Sequence, residues 1–246
     1  MNTIIVQART GSSRLPNKIF KQIGEITVLK YLINRIKLSK NTEQIIIATT
    51  DNIKDKKIID FCNNEKIKYY IGDEQNVLKR FYDCALHFKA TTIIRITSDC
   101  PFADPEIIDI MINKFHQKNI DYISNTTPPE TSNWPDGSDV EILSFSALER
   151  SYNETKNKKE QEHVTFYIWK NRKTNFQTSQ YQYPNDCSKF RFTIDYEEDL
   201  IVANKIDKYL KANHLRGSID EIINFLELNP TVSSINNKYY FGIGWK

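Results

Sequence analysis

Short runs of β-branched residues alternate with segments of helical periodicity in the first half of the chain, and this alternation restricts the fold most. Strands are predicted at 3–8, 44–50, 67–72, 91–97 and 120–125. Helices are predicted between them, over 26–38, 54–65, 75–89 and 104–115. Strands joined by helices of this length form right-handed crossovers. The sequence therefore predicts an α/β fold with a twisted, mainly parallel sheet and helices on both faces.

The pattern changes at residues 126–138, TTPPETSNWPDGS, a loop with three prolines and one glycine. The remaining strands are predicted at 139–145, 176–182 and 189–194, and the remaining helices near 146–156, 159–170, 196–211 and 218–228. We interpret residues 1–246 as a single domain. In this interpretation, 126–188 is a small inserted α+β subregion that carries half of a site, and 189–246 adds a closing strand and C-terminal helices.

Composition narrows the class of protein. The 246 residues include 34 basic and 31 acidic side chains, a net charge of +3. This balance gives no support for nucleic-acid or membrane-surface binding, so any anion site must be local. The four cysteines show no CxxC pairing or metal-like spacing, and we read them as reduced thiols. No signal segment or membrane span is evident, which predicts a cytoplasmic protein.

The loop after the first strand, VQARTGSSRLPNK, has the composition of an anion site. Gly11, Ser12 and Ser13 are small enough to let an oxyanion approach the backbone N–H groups. Arg9, Arg14 and Lys18 add three cations suited to a triphosphate. The loop lacks the GxxxxGK pattern of a P-loop and the GxGxxG pattern of dinucleotide sites. A solvated basic turn is the alternative that composition leaves open.

This loop resembles the N-terminal signature of sugar cytidylyltransferases, including those acting on 3-deoxy-manno-octulosonate and acylneuraminate. The resemblance is closest to the spore coat polysaccharide biosynthesis protein F family. Further stretches resemble that family in the same order over about residues 3–211: IIIATTDN, GDEQNVLKRFYDCA, IIRITSDCPFADPEIID, DYISNT, PDGSDVEILSFSALE, EHVTFYI and RFTIDYEEDL.

The resemblance implies a nucleotidyltransferase-type, Rossmann-like fold. It also implies a reaction that joins CTP to an acidic or phosphorylated sugar and releases pyrophosphate. Residues 1–125 would form the CTP-binding half and 126–188 the sugar-binding half. The predicted CTP-binding residues are Ala8, Arg9, Gly11, Ser12, Ser13, Arg14, Lys18 and Asp51, with Arg14, Lys18 and Asp99 as the catalytic group.

Two aspartates are candidate Mg²⁺ ligands. Asp99 follows the strand 91–97, and Asp195 ends the predicted strand 189–194. One or two carboxylates suffice for Mg²⁺, which keeps several waters. The family's metal-binding aspartates fall on the same two motifs. A helix cap is the alternative role for each, and it is strongest for Asp195, which precedes YEEDL.

Other polar residues are assigned with open alternatives. Asp51 is a candidate for base or ribose contacts or a plain turn residue, and Arg80 is a further site candidate. Acidic residues near 135–141 are either a solvent-facing group or sugar-hydroxyl ligands. In EHVTFYI, a packed or capping histidine is the alternative to a substrate contact. The predicted substrate-binding residues are Asp136, Asp139, Glu141, Glu162 and His163.

The sequence thus predicts a Mg²⁺-dependent cytidylyltransferase of surface polysaccharide or glycoconjugate biosynthesis. A glycosyltransferase of related fold is one alternative, although such enzymes usually carry a DxD pair and TSDCP has one aspartate. A non-catalytic nucleotide-binding regulator is another. Neither the activated sugar nor the oligomeric state follows from the sequence, and a homodimer is common in related enzymes.

Overall fold

The fold is built on a central sheet. The structure is a computed structural model and describes residues 1–239. Its strands are Asn2–Gln7 (β1), Gln22–Ile23 (β2), Ile26–Thr27 (β3), Gln44–Thr50 (β4), Lys68–Gly72 (β5), Thr92–Thr97 (β6), Tyr122–Ser124 (β7), Glu141–Ser144 (β8) and Thr178–Gln180 (β9). In this part of the chain, β2 and β3 form a separate hairpin and the other seven form one sheet.

Helices connect and cover these strands. They are Val28–Ile36 (α1), Lys56–Glu65 (α2), Val77–His87 (α3), Pro105–Lys118 (α4), Phe145–Glu154 (α5), Lys158–Glu162 (α6), Phe166–Lys170 (α7), Glu197–Ala212 (α8), Ile219–Leu228 (α9) and Pro230–Ser233 (α10). The predicted start of α4 is confirmed. The Asp104 side chain accepts a hydrogen bond from the backbone N–H of Glu106, and Pro105 is the first helical residue. Within residues 1–239, no helix is both long and apolar enough to cross a membrane.

The sheet order is β5-β4-β1-β6-β8-β7-β9. Strand β1 pairs in parallel with β4 and β6, β4 with β5, and β7 with β9. Only β8 of these strands runs against its neighbours, β6 and β7. The predicted mainly parallel sheet is confirmed. The order reverses between β1 and β6, which creates a switch point at their carboxyl ends.

Alternating side chains of the central strands fill two apolar layers. Ile4 and Val6 of β1 pack in the layer formed with α1, α2 and α4. Ile5, between them, packs in the opposite layer with α3, α5 and α7. A third cluster lies under α8 and α9 and includes Phe102 and Phe192. Because both faces are covered, these strands are apolar throughout, as parallel strands usually are.

Three predicted elements differ in the structure. Residues 26–38 begin as part of the β2–β3 hairpin, and the helix starts at Val28, with the Thr27 side chain accepting from the N–H of Lys30. The predicted helix 159–170 is two short helices, interrupted at Val164, which has a φ of 34°. The prediction of a strand at 189–194 is wrong. This segment joins no sheet and forms a single isolated β-bridge, between Arg191 and Asp136.

The segment 189–194 nevertheless keeps the alternation of a strand. Phe190, Phe192 and Ile194 are buried in the third apolar cluster. Its backbone bonds go to loops rather than to a neighbouring strand: Phe192 N–H donates to Asp136 O at 2.8 Å and Ile194 N–H to Asp99 O at 2.8 Å. The residues between the apolar ones therefore face the opposite way, toward the switch point.

Candidate active site

A cleft of about 390 Å³ opens where the loops after β1 and β6 diverge. Its size is suited to a small-molecule ligand. The cleft is lined by Gln7, Arg9, Gly11, Ser12, Ser13, Arg14, Lys18, Val77, Arg95, Thr97, Ser98, Asp99, Cys100, Thr127, Asp136, Asp139, Glu141, Glu162, His163, Arg191, Thr193 and Asp195. Most of the residues predicted for the site are therefore brought together, although they come from distant parts of the chain.

Residues 9–18, which we call the cationic loop, are anchored at both ends. Asp55 is buried and accepts from the backbone N–H of Thr10 at 2.7 Å and from its hydroxyl at 2.6 Å. Asn17, at the other end, has a φ of 55°, and its N–H donates to Thr10 O at 3.4 Å. Anchored ends keep the middle of the loop over the cleft.

Gly11 lies in that middle part and faces open space. A Cβ built on it would meet no atom within 4 Å, and its φ is not in the left-handed region. Packing and backbone strain therefore give no reason for glycine here. What glycine provides is an open backbone on the cleft side, where a ligand oxygen would approach the N–H groups.

The two candidate metal aspartates meet at Lys18. Its ammonium lies 2.5 Å from Asp99 Oδ2 and 2.8 Å from Asp195 Oδ1, and Arg14 Nη2 lies 2.8 Å from the same Asp195 oxygen. Burial opposes the charge on Lys18, but the two aspartates outweigh it and raise its pKa. Burial would raise the pKa of Asp195, but Lys18 and Arg14 lower it below its usual range. Lys18, Arg14 and Asp195 are thus charged at neutral pH.

The donor set at this point fits Mg²⁺. Two carboxylate oxygens from separate segments converge on one cation, and here that cation is the ammonium of Lys18. No group of three or more His, Cys, Asp or Glu side chains within residues 1–239 has the spacing of a metal site. Because Mg²⁺ takes one or two carboxylates with water and phosphate oxygens, Asp99 and Asp195 would suffice to hold it.

Asp195 does not cap the following helix. The N-cap position of α8 is Tyr196. Asp199, in the first turn, accepts from the backbone N–H of Asp195 at 2.8 Å and from that of Tyr196 at 2.9 Å. The capping alternative for Asp195 is therefore wrong, and its carboxylate is left for the cations of the cleft.

Arg191 joins this centre to the rest of the cleft and was not predicted. Its buried guanidinium donates to Asp195 Oδ2 at 3.2 Å and to Asp199 at 3.0 and 3.1 Å, and it pairs with Asp136. The signal was present in the alternation of 190–195, since Arg191, Thr193 and Asp195 all line the cleft. Sequence alone supplied no reason to look for a buried arginine there.

The acidic residues beyond this centre, Asp136, Asp139, Glu141 and Glu162, form what we call the acidic half. Glu141 is buried, pairs with Arg95 and accepts from the Tyr122 hydroxyl at 2.5 Å. The solvent-facing alternative is therefore wrong for Glu141. In the turn before it, Gly137 has a φ of 103°, and a Cβ there would lie 2.3 Å from Thr193 N. Only glycine lets this turn pack against the 189–194 segment.

Burial dominates the electrostatics of the two aspartates in this half. It raises the pKa of Asp136 to about 8, even though Arg191 acts in the opposite direction. It also raises the pKa of Asp139, whose carboxylate accepts from Thr126 Oγ1 at 2.8 Å and from Gly137 N–H at 3.0 Å. A carboxylate offers about four acceptor positions, so Asp139 keeps capacity for ligand hydroxyls.

Glu162 and His163 reach the cleft at the end of α6. His163 stacks on Phe166 with ring centroids 4.3 Å apart. Burial lowers the pKa of His163. The positive charge of Arg95 lowers it further, whereas the negative charge of Glu162 raises it. The ring is therefore neutral at pH 7 and presents one donor and one acceptor.

Two predicted nucleotide-binding residues lie outside the cleft lining. Ala8 is buried, and its N–H donates to Ala48 O at 3.2 Å, which extends the sheet pairing. Asp51 is exposed, and the carboxylate that supports the cationic loop is Asp55. Arg80 is buried, does not line the cleft and donates to Asp73 O at 2.6 Å. The cleft residues that sequence reasoning missed are Gln7, Val77, Arg95, Thr97, Ser98, Cys100, Thr127, Arg191 and Thr193.

A mainly parallel sheet, with a cationic loop and an acidic half facing each other at its switch point, is the arrangement of an α/β nucleotidyltransferase. The sequence model of the cytidylyltransferase family matches residues 3–234, and the chain belongs to that family. The chain is 35% identical over 236 residues to an uncharacterized protein of Methanocaldococcus jannaschii, with 95% of this chain and 93% of that protein covered. It is 32% identical over 248 residues to the spore coat polysaccharide biosynthesis protein SpsF of Bacillus subtilis, covering 95% and 98%.

A solved structure agrees with this assignment. The cytidylyltransferase of Leptospira borgpetersenii superposes with a TM-score of 0.87 at 29% identity, over 94% of this chain and 96% of that chain. The nucleotidyltransferase fold and the enzyme class are therefore shown.

Proposed function

We propose that this protein is a Mg²⁺-dependent cytidylyltransferase that joins CTP to an acidic or phosphorylated sugar and releases pyrophosphate. The pathway would be the synthesis of a surface polysaccharide or glycoconjugate, as the name of the similar B. subtilis protein suggests. One observation carries the proposal: Arg14, Lys18, Asp99 and Asp195 converge at the switch point of a cytidylyltransferase fold.

In this proposal the cationic loop binds the triphosphate. Arg14 and Lys18 would exchange their aspartate partners for phosphate oxygens, and the backbone N–H groups near Gly11 would hold the terminal phosphates. Asp99 and Asp195 would hold the metal. When bound, the ion would supply positive charge to the phosphate oxygens. The protein would contribute positioning and charge neutralisation rather than a covalent intermediate.

The acidic half would hold the acceptor. Asp139 and Glu162 would accept hydrogen bonds from sugar hydroxyls, and neutral His163 would donate or accept one. An acceptor oxygen then forms a bond to the α-phosphorus of CTP, and the proton of a hydroxyl acceptor passes to solvent. The bond from that phosphorus to the bridging oxygen breaks, and pyrophosphate carries the electron pair away.

Pyrophosphate release tests this function directly. The protein is assayed with each of the four NTPs against a panel of sugar phosphates, nonulosonic acids and octulosonic acids, with Mg²⁺. We expect release with CTP and one class of acceptor only. Release of a nucleoside diphosphate from a finished nucleotide-sugar would instead identify a glycosyltransferase, and CTP binding without turnover on any acceptor would favour a regulator.

A further inference from the structure

The last described residues return to the active site from beyond the region that the family model matches. The match to the family's sequence model ends at residue 234. We call the residues that follow it, 235–239, the C-terminal segment. The segment packs on the start of α8, next to Tyr196 and Asp199. It therefore lies behind the two side chains that reach the cation centre, Arg14 and Asp195.

Asn236 makes the first connection. It is 1% exposed, and its Nδ2 donates to the backbone O of Arg191 at 3.1 Å and to Asp199 Oδ1 at 2.8 Å. Asp199 in turn binds the Arg191 guanidinium and the backbone N–H of Asp195. One buried amide thus contacts two residues that hold Asp195: Arg191, which binds its carboxylate, and Asp199, which binds its backbone N–H.

Tyr239 makes the second connection. Its ring stacks on Tyr196 with centroids 3.7 Å apart and an interplanar angle of 1°. The guanidinium carbon of Arg14 lies 5.4 Å from the centroid of the Tyr196 ring. The segment is held on α8 by Lys238, whose ammonium lies 2.7 Å from Glu198. Tyr239 therefore supports the aromatic ring against which Arg14 rests.

We propose that the C-terminal segment is a positioning element of the active site. Tyr239 acts through Tyr196 on Arg14, and Asn236 acts through Asp199 and Arg191 on Asp195. Neither residue lines the cleft. This inference rests on the proposed function, because it assigns Arg14 to CTP and Asp195 to the metal. A rival explanation is that the segment only stabilises α8.

Tyr239→Ala separates these explanations in the full-length chain. It removes the ring that supports Tyr196 and so weakens the cation–π contact between Tyr196 and Arg14, which corresponds to about a threefold to tenfold rise in the KM for CTP. Tyr239→Phe keeps the stacked ring and should restore the wild-type KM. The matched control is Tyr209→Ala, because Tyr209 stacks on Phe225 at 4.4 Å between α8 and α9, away from the cleft. It should lower the melting temperature without raising this KM.

A double variant tests the route through Arg14. If Tyr239 acts through that residue, Tyr239→Ala should raise the KM for CTP in the wild-type background and leave it unchanged in Arg14→Ala. Equal effects in both backgrounds would overturn the route. A KM that is unchanged in Tyr239→Ala, with only the melting temperature lowered, would overturn the positioning role altogether.

Asn236→Ala tests the route from Asn236 to Asp195 through the metal dependence of the enzyme. The substitution should raise the Mg²⁺ concentration needed for half-maximal activity, while the KM for CTP changes little. It should also weaken Mn²⁺ binding in the presence of CTP, measured by electron paramagnetic resonance. Unchanged metal dependence would overturn this route. Calorimetric CTP binding keeps the tests distinct from the proposed function: a wild type that binds CTP without turnover contradicts only the proposed reaction, and one that does not bind CTP contradicts both.

Discussion

The cationic loop and the acidic half are built in opposite ways. The loop is one contiguous stretch, residues 9–18, whose charges extend from an anchored backbone. The acidic half combines residues 136–141 with Glu162 of α6, and it depends on two arginines from other segments, because Arg95 pairs with Glu141 and Arg191 pairs with Asp136. A phosphate site needs a compact group of hydrogen-bond donors, and consecutive residues of one loop can provide it. A site for a polyhydroxyl acceptor needs buried acceptors on several sides, which only a fold assembles.

The largest effect is expected where the two regions meet. Asp99→Asn keeps the shape but removes a charge next to Lys18, so turnover should fall by about 100-fold or more. Chelation of Mg²⁺ with EDTA should abolish wild-type activity. Asp51→Asn is the matched control, since Asp51 also follows a strand but lies outside the cleft. Full activity in EDTA would remove the metal from the mechanism.

Asp195 should show a comparable loss. Because Asp199 rather than Asp195 caps α8, Asn has no capping advantage over Ala at position 195. Both variants should lose turnover by about 100-fold and melt at similar temperatures. A larger destabilisation, of about 3–5 kcal/mol, is expected when Asp199 is replaced, because the buried Arg191 guanidinium then loses a charged partner. A fully active Asp195→Asn would assign this residue a structural role.

Arg14→Ala tests the cationic loop alone. Loss of a charged hydrogen bond to phosphate should raise the KM for CTP by about tenfold to 100-fold. The KM for the acceptor should change little, because the substitution lies outside the acidic half. Lys21→Ala serves as the control, since Lys21 pairs with Glu197 and does not line the cleft. An unchanged KM for CTP would exclude Arg14 from the phosphate site.

Glu162→Gln tests the acidic half with the opposite expectation. The KM for the acceptor should rise by about threefold to tenfold and the KM for CTP should stay constant. Glu160→Gln is the control on the same helix, because Glu160 faces Lys170 rather than the cleft. If Glu162→Gln raised the KM for CTP instead, the division of the cleft into two halves would be wrong.

The smallest effect is a pH dependence of stability. Lys18 and Arg14 lower the folded-state pKa of Asp195, although burial opposes them. Its ionised form therefore stabilises the fold above the unfolded pKa of about 4, and that contribution is lost as the pH falls through the folded value. The difference in unfolding free energy between wild type and Asp195→Asn should be constant from pH 6 to 7 and should shrink below about pH 4. A difference in unfolding free energy that increased below about pH 4 would contradict a lowered pKa for Asp195 in the folded state.

The sequence by itself determined the parallel sheet, because the spacing of apolar residues fixes which faces are buried. It also marked the cationic loop, whose function lies in consecutive residues, and placed Asp99 at the end of β6. Tertiary structure alone decided the rest. Asp55 rather than Asp51 supports the loop, Asp199 rather than Asp195 caps α8, and the paired arginines Arg95 and Arg191 line the cleft. Each of these outcomes depends on which buried charge finds a partner from a distant segment, and local periodicity carries no record of such pairing.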